Sequence, residues 1–257
     1  MTEILINKYK PKNYLTEIVP FVYSPSLFGV EGRSSGAKTK IAIISSGLPD
    51  HPDLGEFSDV ELFINGTDSP DDMIGTSTMY AGIIAANNKK GLTGLAPKTK
   101  VFYAKCINEK HNCTVSSIAA SILWSIIQEV DVILLGALPL DQMDALEASL
   151  EKASKVNIPV FTEYSDNINN EFLLAVKYKT SKKFIIKNDK GTLCVGLPEL
   201  SVTTSPVGKY VEIDPALAAT SIAAGLALIL IQKHKNNNEK YSPGSIYNEL
   251  LSLGLSK

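Results

Sequence analysis

The sequence predicts an α/β fold, a doubly wound and mostly parallel sheet in a single domain. Two observations predict it. Apolar runs of the kind that form strands buried on both faces, such as Lys40-Ile-Ala-Ile-Ile-Ser45, alternate along the chain with longer segments of helical period. The 257 residues, 44% hydrophobic, suffice to bury one large core, and neither an internal repeat nor an interdomain linker interrupts them.

Residues 1–39 mix polar and aromatic side chains and are broken by Pro11, Pro20 and Pro25, so they read as an arm laid over a domain formed by 40–257. The run Lys40–Ser45 is the first buried strand and ends at Ser-Ser-Gly. A helix follows at about 78–86. Its Ala81, Gly82, Ala85 and Ala86 stand three and four residues apart, so it can lie very close to a neighbour. A polar turn at 87–90, two glycines (Gly91, Gly94) and a strand at 100–106 come next.

The segment 114–129 has the helical period, with Ile118, Ile122 and Ile126 inward and Thr114, Ser116 and Ser117 as N-cap candidates. Strand 131–135, helix 142–154 and strand 158–164 continue the alternation, which implies right-handed parallel crossovers. Short strands are expected at 184–186, 192–197 and 210–213. A helix at 216–235 and a shorter one after Pro243 close the chain.

A formal net charge of −2 gives no electrostatic reason to expect nucleic acid or an anionic membrane. The N-terminal apolar patch is too short for a signal-peptide core. The run 222–231 falls well short of the ~18 apolar residues that suggest a bilayer span. Cys106, Cys113 and Cys194 form no scaffold pattern and read as free thiols of a reducing compartment, with a Cys106–Cys113 bridge as the alternative. The expected setting is cytoplasmic.

Several motifs carry a family resemblance. Thr76-Ser-Thr-Met-Tyr-Ala-Gly82 resembles the His-Gly-Thr-His-Val-Ala-Gly segment of subtilisin-like serine proteases, with the catalytic histidine replaced. The stretch 41–54 resembles their first strand, which ends in Asp-Ser-Gly and leads into a His-Pro-Asp-Leu loop. The stretch 158–166 resembles the strand ending in Ala-Ala-Gly-Asn. The resemblance runs from about Ser24 to the C-terminus and implies a three-layer subtilisin-like fold.

Carried over residue by residue, it puts Ser45 at the aspartate position, Thr76 at the histidine and Asp166 at the oxyanion asparagine. Two registers stay open for the nucleophile. Ungapped alignment of the last helix gives Leu217, and a shift of one turn matches Ala219-Thr-Ser-Ile-Ala223 to Gly-Thr-Ser-Met-Ala and gives Ser221. The substrate-pairing Ser-Leu-Gly-Gly segment reads Leu134-Leu-Gly-Ala-Leu138.

Serine proteolysis requires a base for the hydroxyl proton, a carboxylate to orient that base, and donors for the oxyanion. Thr76 has no useful titration, Ser45 cannot stabilise an imidazolium, and an ionised Asp166 would repel an oxyanion. The resemblance with these losses implies an inactive subtilisin-like domain that holds a peptide or protein. Strand addition would run along Leu134, Leu135, Gly136, Ala137 and Leu138, beside Glu163 and Tyr164.

One alternative is a residual hydrolase with Ser221 as nucleophile helped by Asp166 or Glu163, as in the acidic sedolisins. Another is a structural subunit whose cleft is filled by Leu217, Met79 and Tyr80. No cofactor or metal is expected. Cys106, His111 and Cys113 lack a zinc spacing, and Asp68, Asp71 and Asp72 read as a solvated loop. His51 reads as a loop residue, His111 as solvated and His234 as a cation at a helix C-terminus.

Overall fold

The structure is a computed structural model that describes residues 4–5, 14–15, 21–30, 34–136, 144–166, 168, 170–182, 185–189, 192–197 and 201–253. Eight strands form the main sheet: β1 (Lys40–Ser45), β2 (Asp59–Leu62), β3 (Lys100–Lys105), β4 (Val132–Leu135), β5 (Val160–Glu163), β6 (Leu173–Thr180), β7 (Ile185–Asp189) and β8 (Thr192–Leu197). Their order is β7-β8-β6-β5-β4-β1-β3-β2. Every pairing is parallel except β7 with β8.

Strand alternation divides the core. Ile41 and Ile43 point to the layer of α1 (Thr76–Ala85) and α4 (Pro215–Asn237), and Ala42 and Ile44 point to the layer of α2 (Val115–Ile127) and α3 (Glu147–Lys155). A last helix, α5 (Pro243–Leu253), packs on α4 and β7. The result is a helix–sheet–helix sandwich.

Helix α1 starts two residues before its expected position because Asp72 reaches across its first turn. The carboxylate accepts from the Gly75 N–H (2.7 Å), the Thr78 N–H (2.8 Å) and the Thr78 hydroxyl (2.7 Å). The small residues bring α1 against a hairpin of β9 (Val202–Ser205) and β10 (Lys209–Glu212). A Cβ on Gly82 would stand 2.4 Å from the Oγ1 atoms of both Thr203 and Thr204. At the other end, the carbonyls of Ile83, Ile84 and Ala86 accept from the N–H groups of Leu95, Ala96 and Gly94 at 2.7–2.9 Å. The chain thus folds back onto its own helix, as the Gly91/Gly94 link foreshadows.

The capping box of α2 forms on Thr114 and Ser117. Helix α4 is capped by Asp214, which accepts from the Ala216 N–H at 2.8 Å. It is long and apolar enough to cross a membrane, but 89% of its apolar window is buried in the fold between the sheet, α1 and α5. The described strands of 1–39 pair with later segments. Phe21–Val22 pairs with Leu92–Thr93, Tyr14–Leu15 with β10, and Ile4–Leu5 with Asn112–Cys113. The buried Tyr23 hydroxyl donates to the Val202 carbonyl (2.7 Å).

Three strands depart from the sequence reading. β2 is a four-residue edge strand, too short to mark itself by pattern. β6 is an interior strand that turns from Leu-Leu-Ala-Val to Lys-Tyr-Lys-Thr midway, so neither a continuous apolar run nor a clean alternation marks it. β9 is a run of Val, Thr and Ser, buried by its contact with α1. Helix α3 begins later than expected, and Gln142 and Phe184 lie outside the described residues. All three cysteines are buried free thiols, so the Cys106–Cys113 bridge is not formed.

Candidate functional site

In open parallel sheets, ligand sites form outside the carboxyl ends of the strands. Ser45 ends β1 there, fully buried, with its carbonyl accepting from Cys106 and Ile107 N–H groups (2.9 and 3.2 Å). Among the described residues its hydroxyl has no hydrogen-bond partner. It lies against Gly136 and Tyr80. A Cβ on Gly136 would stand 3.1 Å from Ser45 Oγ and 2.6 Å from Tyr80 Cε2.

Tyr80 is fully buried in α1, and its hydroxyl donates a 2.5 Å bond to Oε1 of Glu163, the last residue of β5. Burial pushes the Glu163 carboxyl up to about 7; the Tyr80 bond pulls it down and Asp214 adds to the rise. Burial, with Glu163 and Asp214 adding to it, holds the Tyr80 phenol well above its ordinary value.

Thr76 is the first residue of α1 and half-buried. Its neighbour Ser77 locks the helix to the end of β1. The Ser77 hydroxyl accepts from the N–H groups of Ser46 and Gly47, both at 3.0 Å, and the Ser46 hydroxyl accepts from the Ser77 N–H at 3.0 Å. Leu217 is buried in the first turn of α4. Ser221 lies one turn further on, fully buried, and its hydroxyl donates to the Leu217 carbonyl at 2.8 Å.

Asp166 and Glu163 are not brought together. Glu163 turns inward to Tyr80, whereas Asp166 is exposed and accepts from the Tyr164 hydroxyl (2.8 Å). Tyr164 stays at the surface, with Lys177 Nζ 4.8 Å from its ring centroid.

The structure corrects the expected peptide-binding edge. Strand β4 is interior, paired with β1 on one side and β5 on the other, so its backbone has no free edge. Leu134 and Leu135 are buried in opposite core layers and line no cleft. Two consecutive leucines are what a strand buried on both faces requires. Gly136 is half-buried and donates to the Ile44 carbonyl at 3.0 Å; Ala137 and Leu138 lie outside the described residues.

The imidazoles are engaged elsewhere. His51 Nδ1 accepts from the Asp53 N–H (3.1 Å), so Nε2 donates to the Lys209 carbonyl (3.0 Å), and burial holds its pKa below the ordinary value. Asp53 is itself a hub that accepts from the Tyr210 hydroxyl (2.6 Å) and from the N–H groups of Leu92 (3.0 Å) and Lys90. His234 sits between Glu239 (3.1 Å) and Glu249 (2.7 Å), and His111 occupies a left-handed turn position (φ 63°). The acidic loop is not simply solvated, because Asp72 is the buried cap of α1 and Asp71 accepts from the Ser69 hydroxyl (2.8 Å). Among the described residues, no group of three or more His, Cys, Asp or Glu side chains is placed to hold a metal ion.

Sequence reasoning missed two site residues. Asp214 was legible as an N-cap followed by Pro215 at the first helical position. Lys105 ends β3 as a fully buried amine that donates to the carbonyls of Ser69 (2.9 Å) and Asp71 (2.7 Å) and to Glu109 (2.7 Å), which fixes the loop entering α1. No local pattern announces it. The described groups at this end of the sheet thus include the Ser45 hydroxyl, the Tyr80 phenol, the Glu163 and Asp214 carboxyls and the committed Lys105 amine, with the imidazoles of His51 and His234 bonded elsewhere.

A family model described as the subtilase family matches residues 36–183. Subtilisin Savinase of Lederbergia lenta is 25% identical over 232 residues, which cover 86% of this chain and 86% of that protein. An alkaline protease of Alkalihalobacillus alcalophilus is 25% identical over 86% of this chain and 61% of its own length. Subtilisin E of Bacillus subtilis (strain 168) is 27% identical over 217 residues, 78% of this chain and 57% of its own length.

Proposed function

The chain belongs to the subtilase family, and on that premise we propose that it is a catalytically inactive member that works by binding a peptide or protein. The packing of Ser45, Tyr80 and Glu163 carries the reading. At the position of the family's orienting carboxylate stands a buried hydroxyl without a partner, and the nearby carboxyl is committed to a phenol. Thr76 offers no base, and Leu217, in the first turn of α4, offers no nucleophile. Three buried free thiols suit a reducing, cytoplasmic setting. With Leu134 and Leu135 in the core, the binding surface is assigned to the region of Gly136 and Tyr164, beside Glu163. A fluorophosphonate probe applied from acid to alkaline pH tests the inactivity, because it labels any activated serine. No labelling is expected, and labelling that disappears in Ser221→Ala would overturn the proposal.

One observation favours a residual hydrolase instead. A carboxyl held near 7, such as Glu163, suits general acid–base chemistry. That reading requires Ser221 to give up its bond to the Leu217 carbonyl and reach solvent. It predicts hydrolysis that both Ser221→Ala and Glu163→Gln abolish. The burial of Met79, Tyr80 and Leu217 supports the structural-subunit alternative, for which sedimentation should show concentration-dependent assembly.

A further inference from the structure

On one face of β6, β8 and β7 the register sets a single row of side chains across the sheet. Lys177 stands opposite Cys194, and Cys194 opposite Lys187. Tyr164 extends the row at its β5 end, with its ring under the Lys177 ammonium. One step along the strands, Lys179 and Ile185 flank Gly196. The opposite face of these strands, with Val176, Ile186, Leu193 and Val195, is core under α4 and α5. Helices α2 and α3 instead pack on β1, β3 and β5, so among the described residues neither is seated on the lysine face.

The charges on that face are unbalanced. Lys177 lies 3.9 Å from Asp189, with both side chains about two-fifths exposed, whereas Lys179 and Lys187 form no ion pair among the described residues. Lys177 and Lys187 flank the buried Cys194, and Lys179 is exposed.

We propose that this face docks an extended acidic peptide segment of a protein partner. The proposal rests on the binding reading above and names the chemistry of the partner. Residues two apart on a strand stand ~7 Å apart, so carboxylates at alternate positions of an extended peptide meet Lys177 and Lys179. Lys187, two strands over, lies ~10 Å from Lys177 and takes a third carboxylate. Tyr164 offers an aromatic contact at the β5 end. A long polyanion fits less well, because the chain as a whole carries a net charge of −2 and repels it beyond the reach of three lysines.

The test uses a fluorescein-labelled octapeptide of alternating Glu and Ser, its Gln counterpart, a single-stranded oligonucleotide and anionic phospholipid vesicles. Saturable binding of the Glu peptide, weakened by salt, is expected to fall at least tenfold in a Lys179→Gln/Lys187→Gln variant whose melting curve matches the wild type. Amide shift changes should be confined to β6–β8 and Tyr164. Equal binding of the Gln peptide, unchanged binding by the variant, shift changes elsewhere, or tighter binding of oligonucleotide or vesicles each overturns the proposal. The probe for an activated serine reads the inactivity independently. A labelled protein that still binds the Glu peptide defeats the inactive reading and leaves this face standing.

Discussion

The Tyr80 phenol donates a 2.5 Å hydrogen bond to Glu163 Oε1 and so ties α1 to the end of β5 across the candidate site. Burial holds that carboxyl protonated up to about 7, against an ordinary value of 4.5. Between those values the folded chain binds the proton that the unfolded chain has released. Stability should therefore fall as pH rises through that interval and level off above it. At about 1.4 kcal/mol per pKa unit the change is roughly 3–4 kcal/mol. Glu163→Gln should remove this fall, and Tyr80→Phe, by deleting the bond that lowers the pKa, should extend it to higher pH. Urea midpoints measured against pH decide it, and identical profiles for wild type and Glu163→Gln would exclude the assignment.

Ser45 and Ser77 should respond oppositely to loss of their hydroxyls. Ser77→Ala strips acceptors from the buried N–H groups of Ser46 and Gly47 and should cost about 1–3 kcal/mol. Ser45→Ala removes a buried hydroxyl that has no partner and should leave stability unchanged or raise it by about 1 kcal/mol. Chemical denaturation of the two variants side by side gives the comparison.

Gly82→Ala should destabilise, although alanine is the better helix former by about 1 kcal/mol. Its Cβ would stand 2.4 Å from two threonine hydroxyls and 2.8 Å from the Thr204 nitrogen, and backbone is not cheaply moved. A net loss of about 1–3 kcal/mol is expected from overpacking, read as a lowered denaturation midpoint. A gain in stability would mean that β9 gives way freely.

Lys105→Met keeps much of the side-chain bulk but deserts the carbonyls of Ser69 and Asp71. Loss of those buried bonds should cost about 2–4 kcal/mol and speed amide exchange in 69–75, while exchange in α4 follows only the global loss. Because the amine is buried, added salt should not mimic the substitution.

Residue order alone specifies the layers. Lys40–Ser45 is uninterrupted because a parallel strand covered on both faces must be apolar at every position, and the small residues of 81–86 announce a helix in close contact. Local chemistry also marked the Thr114 cap and the resemblance at Ser45 and Thr76, with Leu217 and Ser221 both open at the nucleophile. What those positions touch follows from packing between distant segments. Leu134 and Leu135 became core because a layer packs on each face of β4, while β1 and β5 close its edges. Glu163 and Tyr80, 83 residues apart, meet only when β5 and α1 pack at the same end of the sheet. The pKa of Glu163 and the bonding of Ser221 depend on burial and on neighbours far along the chain or a turn away in a folded helix, which residue order does not specify.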